Sequence, residues 1–142
     1  MPRINTFVAA ICAASLVASA LVAVVAPSPD QQQLIAVGLF CILGVLTQVF
    51  GYGLPKSATG AVSFFPFIAS AVISPTYASI ASVLLAVCVG ELLIRRTVLK
   101  ACFNVAQHCL ALALGIGAYL ALEGESLLTA TTPQFVPYAA LF

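Results

Sequence analysis

The chain has 142 residues, 63% of them apolar and only 6% charged, against roughly 45–50% apolar and about 25% charged in an ordinary soluble domain. Five basic and four acidic side chains cannot cover a particle of this size with polar groups, which excludes a water-soluble globule and makes lipid the solvent. A formal net charge of +1 provides no basic stripe for nucleic acid, so that partner is not expected.

At about 20 residues per spanning helix, the length accommodates five or six membrane crossings in one domain, 1–142, with no room for a separate soluble unit. After Arg3 and Asn5, residues 7–26 carry no charge and form the first span. A cleaved signal peptide, suggested by the small residues Ala18-Ser19-Ala20, is disfavoured because the apolar run exceeds the usual core of about 7–15 residues. Pro27, Pro29, Asp30 and the glutamines 31–33 read as a loop. Residues 34–50 form the second span.

The Gly-, Pro- and hydroxyl-rich stretch 51–60 then breaks any helix. The apolar segment 61–74, interrupted by Pro66 and closed by Ser74-Pro75, is short for a span and either crosses thinly or re-enters; the placement of the basic residues favours a third crossing. Residues 77–95 and 99–122 form the fourth and fifth spans, bordered by Arg95-Arg96 and by Glu123. An apolar run over 134–142 reads as the start of a sixth, so the sequence reads as part of a longer chain. The expected fold is an all-α, polytopic membrane helix bundle with five complete spans plus the start of a sixth.

Orientation follows from the basic residues, which stay on the cytoplasmic side of short loops. With the amino terminus inside, Arg3, Lys56, Arg95, Arg96 and Lys100 all fall inside, and the turns around Asp30, Ser74 and Glu123 hold no Lys or Arg. A multi-pass protein of a bacterial inner membrane is the corresponding expectation, with the lipid bilayer as its main partner. A homodimer and a small hydrophobic ligand are further partners that such a bundle can accept.

Chemistry has few candidates. Cys12, Cys41, Cys88, Cys102 and Cys109 lie in apolar runs with no CxxC spacing and read as small hydrophobes. With one histidine and no tryptophan, the chain builds no multi-histidine metal site, and no cofactor is expected. Gly53-Leu54-Pro55-Lys56-Ser57 fails as a phosphate loop because Pro55 stands where a glycine amide must wrap phosphate. With no activated nucleophile and no paired carboxylates, the chain is not expected to be an enzyme.

The fifth span is more informative. Lys100, Asn104, Gln107 and His108 share one helical face, a candidate intramembrane polar face, either as interhelical glue or as a small pocket in which His108 touches a ligand or responds to protons. Ser79, Ser82, Ala86 and Gly90 give the fourth span a stripe of small residues suited to helix packing, and a tight hairpin with the fifth span is expected. Glu91, four residues before Arg95, is expected to pair with it, so that Glu91, Arg95 and Arg96 form a group of charges at the cytoplasmic edge with Lys100 beside Glu91. Asn104 and Gln107 are both expected to face the fourth span.

Three strings carry a resemblance: Ser63-Phe64-Phe65-Pro66-Phe67-Ile68-Ala69, then Ser74-Pro75-Thr76-Tyr77, and above all Leu99-Lys100-Ala101-Cys102-Phe103-Asn104-Val105-Ala106-Gln107. Over roughly residues 51–124 the chain resembles the amino-terminal multi-helix membrane domain of bacterial HD-GYP and GGDEF cyclic-dinucleotide signalling proteins. The Lys-x-x-Phe-Asn-x-x-Gln portion, preceded by the basic pair Arg95-Arg96, is the most specific part. The resemblance implies a sensor or anchor domain whose phosphodiesterase or cyclase output would follow on the cytoplasmic side. A weaker likeness of architecture points to the small-molecule-binding membrane subunits of energy-coupling-factor vitamin transporters. A purely structural anchor, the third class, predicts a polar face that packs shut.

Overall fold

The computed structural model describes residues 2–50, 56–122, 124–126 and 128, with side chains placed for 3–50, 64–122, 124–126 and 128. The described residues form five helices and no strand: α1 Pro2–Val25, α2 Gln31–Phe50, α3 Lys56–Ile73, α4 Tyr77–Ile94 and α5 Val98–Ala121. Of these, α1, α2, α4 and α5 are long and apolar enough to cross a membrane. The helix α3 is 18 residues long, and the part of it with placed side chains, Phe64–Ile73, is apolar. The expected sixth span lies outside the described residues.

Local chemistry explains where the helices begin. At α2, Asp30 and Gln33 close a reciprocal capping box: the Gln33 amide donates to Asp30 Oδ1 at 2.7 Å and the Asp30 amide donates to Gln33 Oε1 at 3.2 Å. The cap draws the polar residues 31–33 into the helix, although their polarity alone suits a loop. At α4, extended Thr76 accepts from the Ala78 amide through its hydroxyl at 3.3 Å. The chain between α4 and α5 turns through Arg95, a left-handed residue at φ 56° and ψ 41°. The helix α3 starts earlier than expected, taking in Lys56 to Gly60, because single hydroxyl and glycine residues are only weak helix breakers.

Helix directions follow from who meets whom. Cys41 donates to the Ser82 carbonyl at 3.4 Å, Gly44 lies against Ala86, and Gln48 lies against Gly90, so α2 and α4 run parallel. Phe7 packs on Phe103 with ring centroids 6.0 Å apart, and at the far end Val22 and Val25 share a groove with Gly117 and Ala121, so α1 and α5 also run parallel. For α2 and α4 to point the same way, α3 must carry the chain back between them. Arg3, Arg95, Arg96 and Lys100 thereby gather at one end of the bundle, the basic end, and Asp30, Ser74 and Glu125 at the other.

The helix α4 is the most buried, as its all-round apolar character requires. Val83, Ala86 and Val87 join Phe67, Leu112 and Ile116 in the core. The small stripe of α4 is buried throughout; α4 and α5 pack together as the expected hairpin, while Ser79, Ser82, Ala86 and Gly90 of the stripe also meet α3 and α2. The reason is shape: a Cβ on Gly44 would stand 2.6 Å from Phe67 Cε1 and 3.3 Å from Ala86 Cβ, and one on Gly90 would stand 2.9 Å from Gln48 Cβ. Missing side chains on α2 and α4 let those two helices approach while Phe67 of α3 fills the gap.

Candidate functional site

At the basic end, Glu91 is only 6% exposed. Its Oε1 accepts from Asn104 Nδ2 at 2.9 Å, and its Oε2 lies 3.6 Å from Arg96 Nε. That separation leaves charge attraction without a hydrogen bond to Oε2 among the described residues. A carboxylate on α4, an amide on α5 and a guanidinium on the turn between them thus form one bridge. Arg96, not Arg95, is the ion-pair partner, because the left-handed backbone at Arg95 ends the helical register that the i, i+4 expectation relied on. Lys100 and Arg95 are exposed, and the expected Lys100–Glu91 approach is replaced by the Arg96 pair.

One turn deeper, His108 Nδ1 lies 2.9 Å from the Asn104 carbonyl. A carbonyl only accepts, so Nδ1 carries the proton and Nε2 remains an acceptor in the neutral ring. Phe64 stacks on the imidazole at 5.5 Å and Phe67 meets it edge-on at 5.9 Å. These two aromatics come from α3, and their convergence on His108 is not visible from spacing along α5. A small groove of about 220 Å³ opens beside them, bordered by Ile68, Ala111 and Gly115.

The expected polar face is therefore split. Asn104 turns toward α4 and His108 toward α3, but Gln107 is exposed on the outside of the bundle. This corrects the expectation that Asn104 and Gln107 both face α4. At 100° per residue, positions 104 and 107 lie about 60° apart on the helix, enough for one to reach Glu91 while the other does not.

At the opposite end lies a group that sequence reasoning did not join together, although it read Ser79 as part of the packing stripe of α4. Ser70, Ser74, Thr76 and Ser79 are fully buried. Ser70 donates to Ser79 Oγ at 2.9 Å, and the Ser79 hydroxyl lies 2.6 Å from the Ser74 carbonyl and 2.8 Å from that of Ser70. The Ser74 and Thr76 hydroxyls are 2.9 Å apart. Ser126 donates to the Ile73 carbonyl, and buried Tyr119 donates to the Glu125 carbonyl at 2.7 Å. The chain after α5 is thus tied down over the α3–α4 turn. The legible signal was a run of hydroxyls at positions 70, 74, 76 and 79 across a proline turn.

A groove runs between α1, α4 and α5 with a volume of about 460 Å³ and with Cys12, Ser15, Ile80, Leu84 and Cys102 among its walls. Comparison of the chain with protein-family models, with curated proteins and with solved structures finds no match.

Proposed function

We propose that the chain is the membrane-embedded input or anchoring module of a bacterial signal-transduction protein, with α1 to α5 as five crossings, a sixth begun at 134–142, and the amino terminus on the cytoplasmic side of the inner membrane. A cyclic-dinucleotide phosphodiesterase or cyclase domain would follow on that side, and the chain itself would turn over no substrate. The observation that carries this reading is the Glu91–Asn104–Arg96 bridge. Within the string that resembles the signalling family, Asn104 is the residue that fastens α5 to α4, and it does so at the end where the basic residues gather. The alternating helix directions supply further support, since they leave basic residues at one end only, as the positive-inside rule requires.

A buried carboxylate held by one amide and one distant guanidinium is a joint that can reset. A rotation of α5 that carries Asn104 away from Glu91 breaks the 2.9 Å bond. In cells carrying the full-length protein, Asn104→Leu should change cyclic-dinucleotide levels at unchanged protein abundance. Levels that follow the wild type, or a gene with no such output domain, overturn the reading. Cysteine labelling at Asp30→Cys from outside only, and at Thr97→Cys from inside only, checks the orientation.

The groove between α1, α4 and α5 is within the size range of small-molecule sites, and this favours one alternative, a transporter subunit that binds a vitamin-like ligand. Saturable binding of such a ligand to the purified chain, with no effect of Asn104→Leu on any output, would decide for it.

A further inference from the structure

Gln107 is used by neither polar group described above. It lies on α5 nine residues from Val98 and fourteen from Ala121, so it stands about 13 Å from one end of the helix and about 21 Å from the other. It is exposed, and it has no hydrogen-bond partner among the described residues. In a bilayer that position is in hydrocarbon, where an amide finds neither donor nor acceptor in its surroundings and is costly to leave alone.

Ala111, Leu114 and Ala118 continue from Gln107 at steps of four, three and four, and all three are exposed. They form a single exposed stripe along α5, in which Leu114 and Ala118 also border the groove against α1 and Ala111 the groove against α3. On one side of it α1 packs through Phe103, on the other α3 packs through His108, and the buried residues Cys109 and Ile116 lie at its back. The 4-3-4 spacing is that of a seam between two helices crossing at about +20°, and alanines at two of the four positions allow close approach.

We propose that this stripe is the seam of a parallel homodimer in which Gln107 of each copy hydrogen-bonds to Gln107 of the other. The occupant follows from symmetry. Copies inserted with the same orientation meet about a two-fold axis along the membrane normal, so each residue of the seam faces its own counterpart at the same depth. A primary amide is self-complementary, its carbonyl accepting from the other copy's N–H and the reverse. Lys100, seven residues before Gln107 on the same stripe, sits at the outermost turn, where its long stem carries the ammonium into the headgroups and away from its counterpart. Of the proposed function, the seam requires only that α5 crosses a bilayer.

The test is energy transfer between donor- and acceptor-labelled copies of the full chain in lipid vesicles, followed over a series of lipid dilutions. Wild type should associate, and Gln107→Leu should weaken association roughly five- to twentyfold, the change carried by one or two interhelical hydrogen bonds in a membrane. Ala111→Ile should weaken it as well, by holding the backbones apart, while Leu39→Ala on the outer face of α2 should leave it unchanged. Ala111→Cys should form a disulfide between copies under mild oxidant. Association of Gln107→Leu equal to wild type, its loss in Leu39→Ala, or energy transfer absent at every dilution overturns the seam. Release of the chain from membranes by alkaline carbonate overturns the membrane reading together with the seam, and retention without association overturns the seam alone.

Discussion

The two ends of the bundle are both polar and both partly buried, but they are built differently. At the Asp30 end the groups are short hydroxyls, fully enclosed, each within hydrogen-bond distance of a partner a few residues away in the chain. At the basic end the groups are long side chains from two helices and a turn, with one carboxylate oxygen lacking a hydrogen bond among the described residues and the Arg96 side chain 38% exposed. Short donors on adjacent backbone leave little freedom, so the first end is fixed. Long donors spanning separate helices can change partners, so the second end is adjustable. That contrast divides the molecule into a clasp and a joint.

The largest effect is expected where both ends depend on one contact. Gly44→Val would force the buried Phe67 ring from its seat against α2 and α4, an overpacking that costs about 1–3 kcal/mol. Thermal unfolding in detergent should give this variant a lower midpoint than any of the substitutions that follow, and a midpoint equal to wild type would show that α2 and α4 are not held at this distance.

At the clasp, Ser79→Ala removes a hydroxyl around which Ser70 and two carbonyls are arranged, and unsatisfied buried groups cost about 1–3 kcal/mol. Hydrogen exchange should quicken around the α3–α4 turn and stay unchanged at the α4–α5 turn. Equal acceleration at both turns would erase the distinction between the ends. At the joint, Asn104→Leu should cost less, about 1 kcal/mol, and should alter the spacing of α4 and α5 measured by spin labels. Phe103→Leu, one position round the helix and in contact with Phe7, should leave that spacing alone. If Asn104→Leu lowers stability more than Ser79→Ala and moves no helix, the joint is a second clasp.

The smallest effect is expected at Arg95, whose left-handed backbone suits glycine. Arg95→Gly should raise stability by about 0.5–1 kcal/mol while the Glu91–Arg96 pair persists, since Arg95 is not part of it. A loss of stability would mean that the Arg95 side chain contributes more than its backbone costs.

Much of the helical framework was legible in the sequence because each signal was local. Uncharged runs, proline turns and charge borders locate α1, α2, α4 and α5 to within a few residues, and the Asp30–Gln33 capping box shows why α2 begins sooner than its apolar run. The small stripe on α4 was legible as a packing face, but its partner was not. Whether Ala86 and Gly90 meet α2 or α5 depends on the absence of side chains at Gly44 and on the size of Phe67, which lie far apart in sequence.

Composition by itself determined that the chain belongs among helices facing an apolar solvent, because nine charges cannot dress the surface of 142 residues, and spacing along α5 determined that its polar residues lie near one another. Only the tertiary structure decided what each of them does. Asn104 met a carboxylate, His108 met two aromatic rings of α3, and Gln107 met neither. The physical reason is that a helix fixes the angles between its own side chains but not which neighbour stands at each angle. That was set by how closely α2 could approach α4, which glycine at 44 and 90 permitted, and by the left-handed turn at Arg95 that brought Arg96 rather than Arg95 to Glu91.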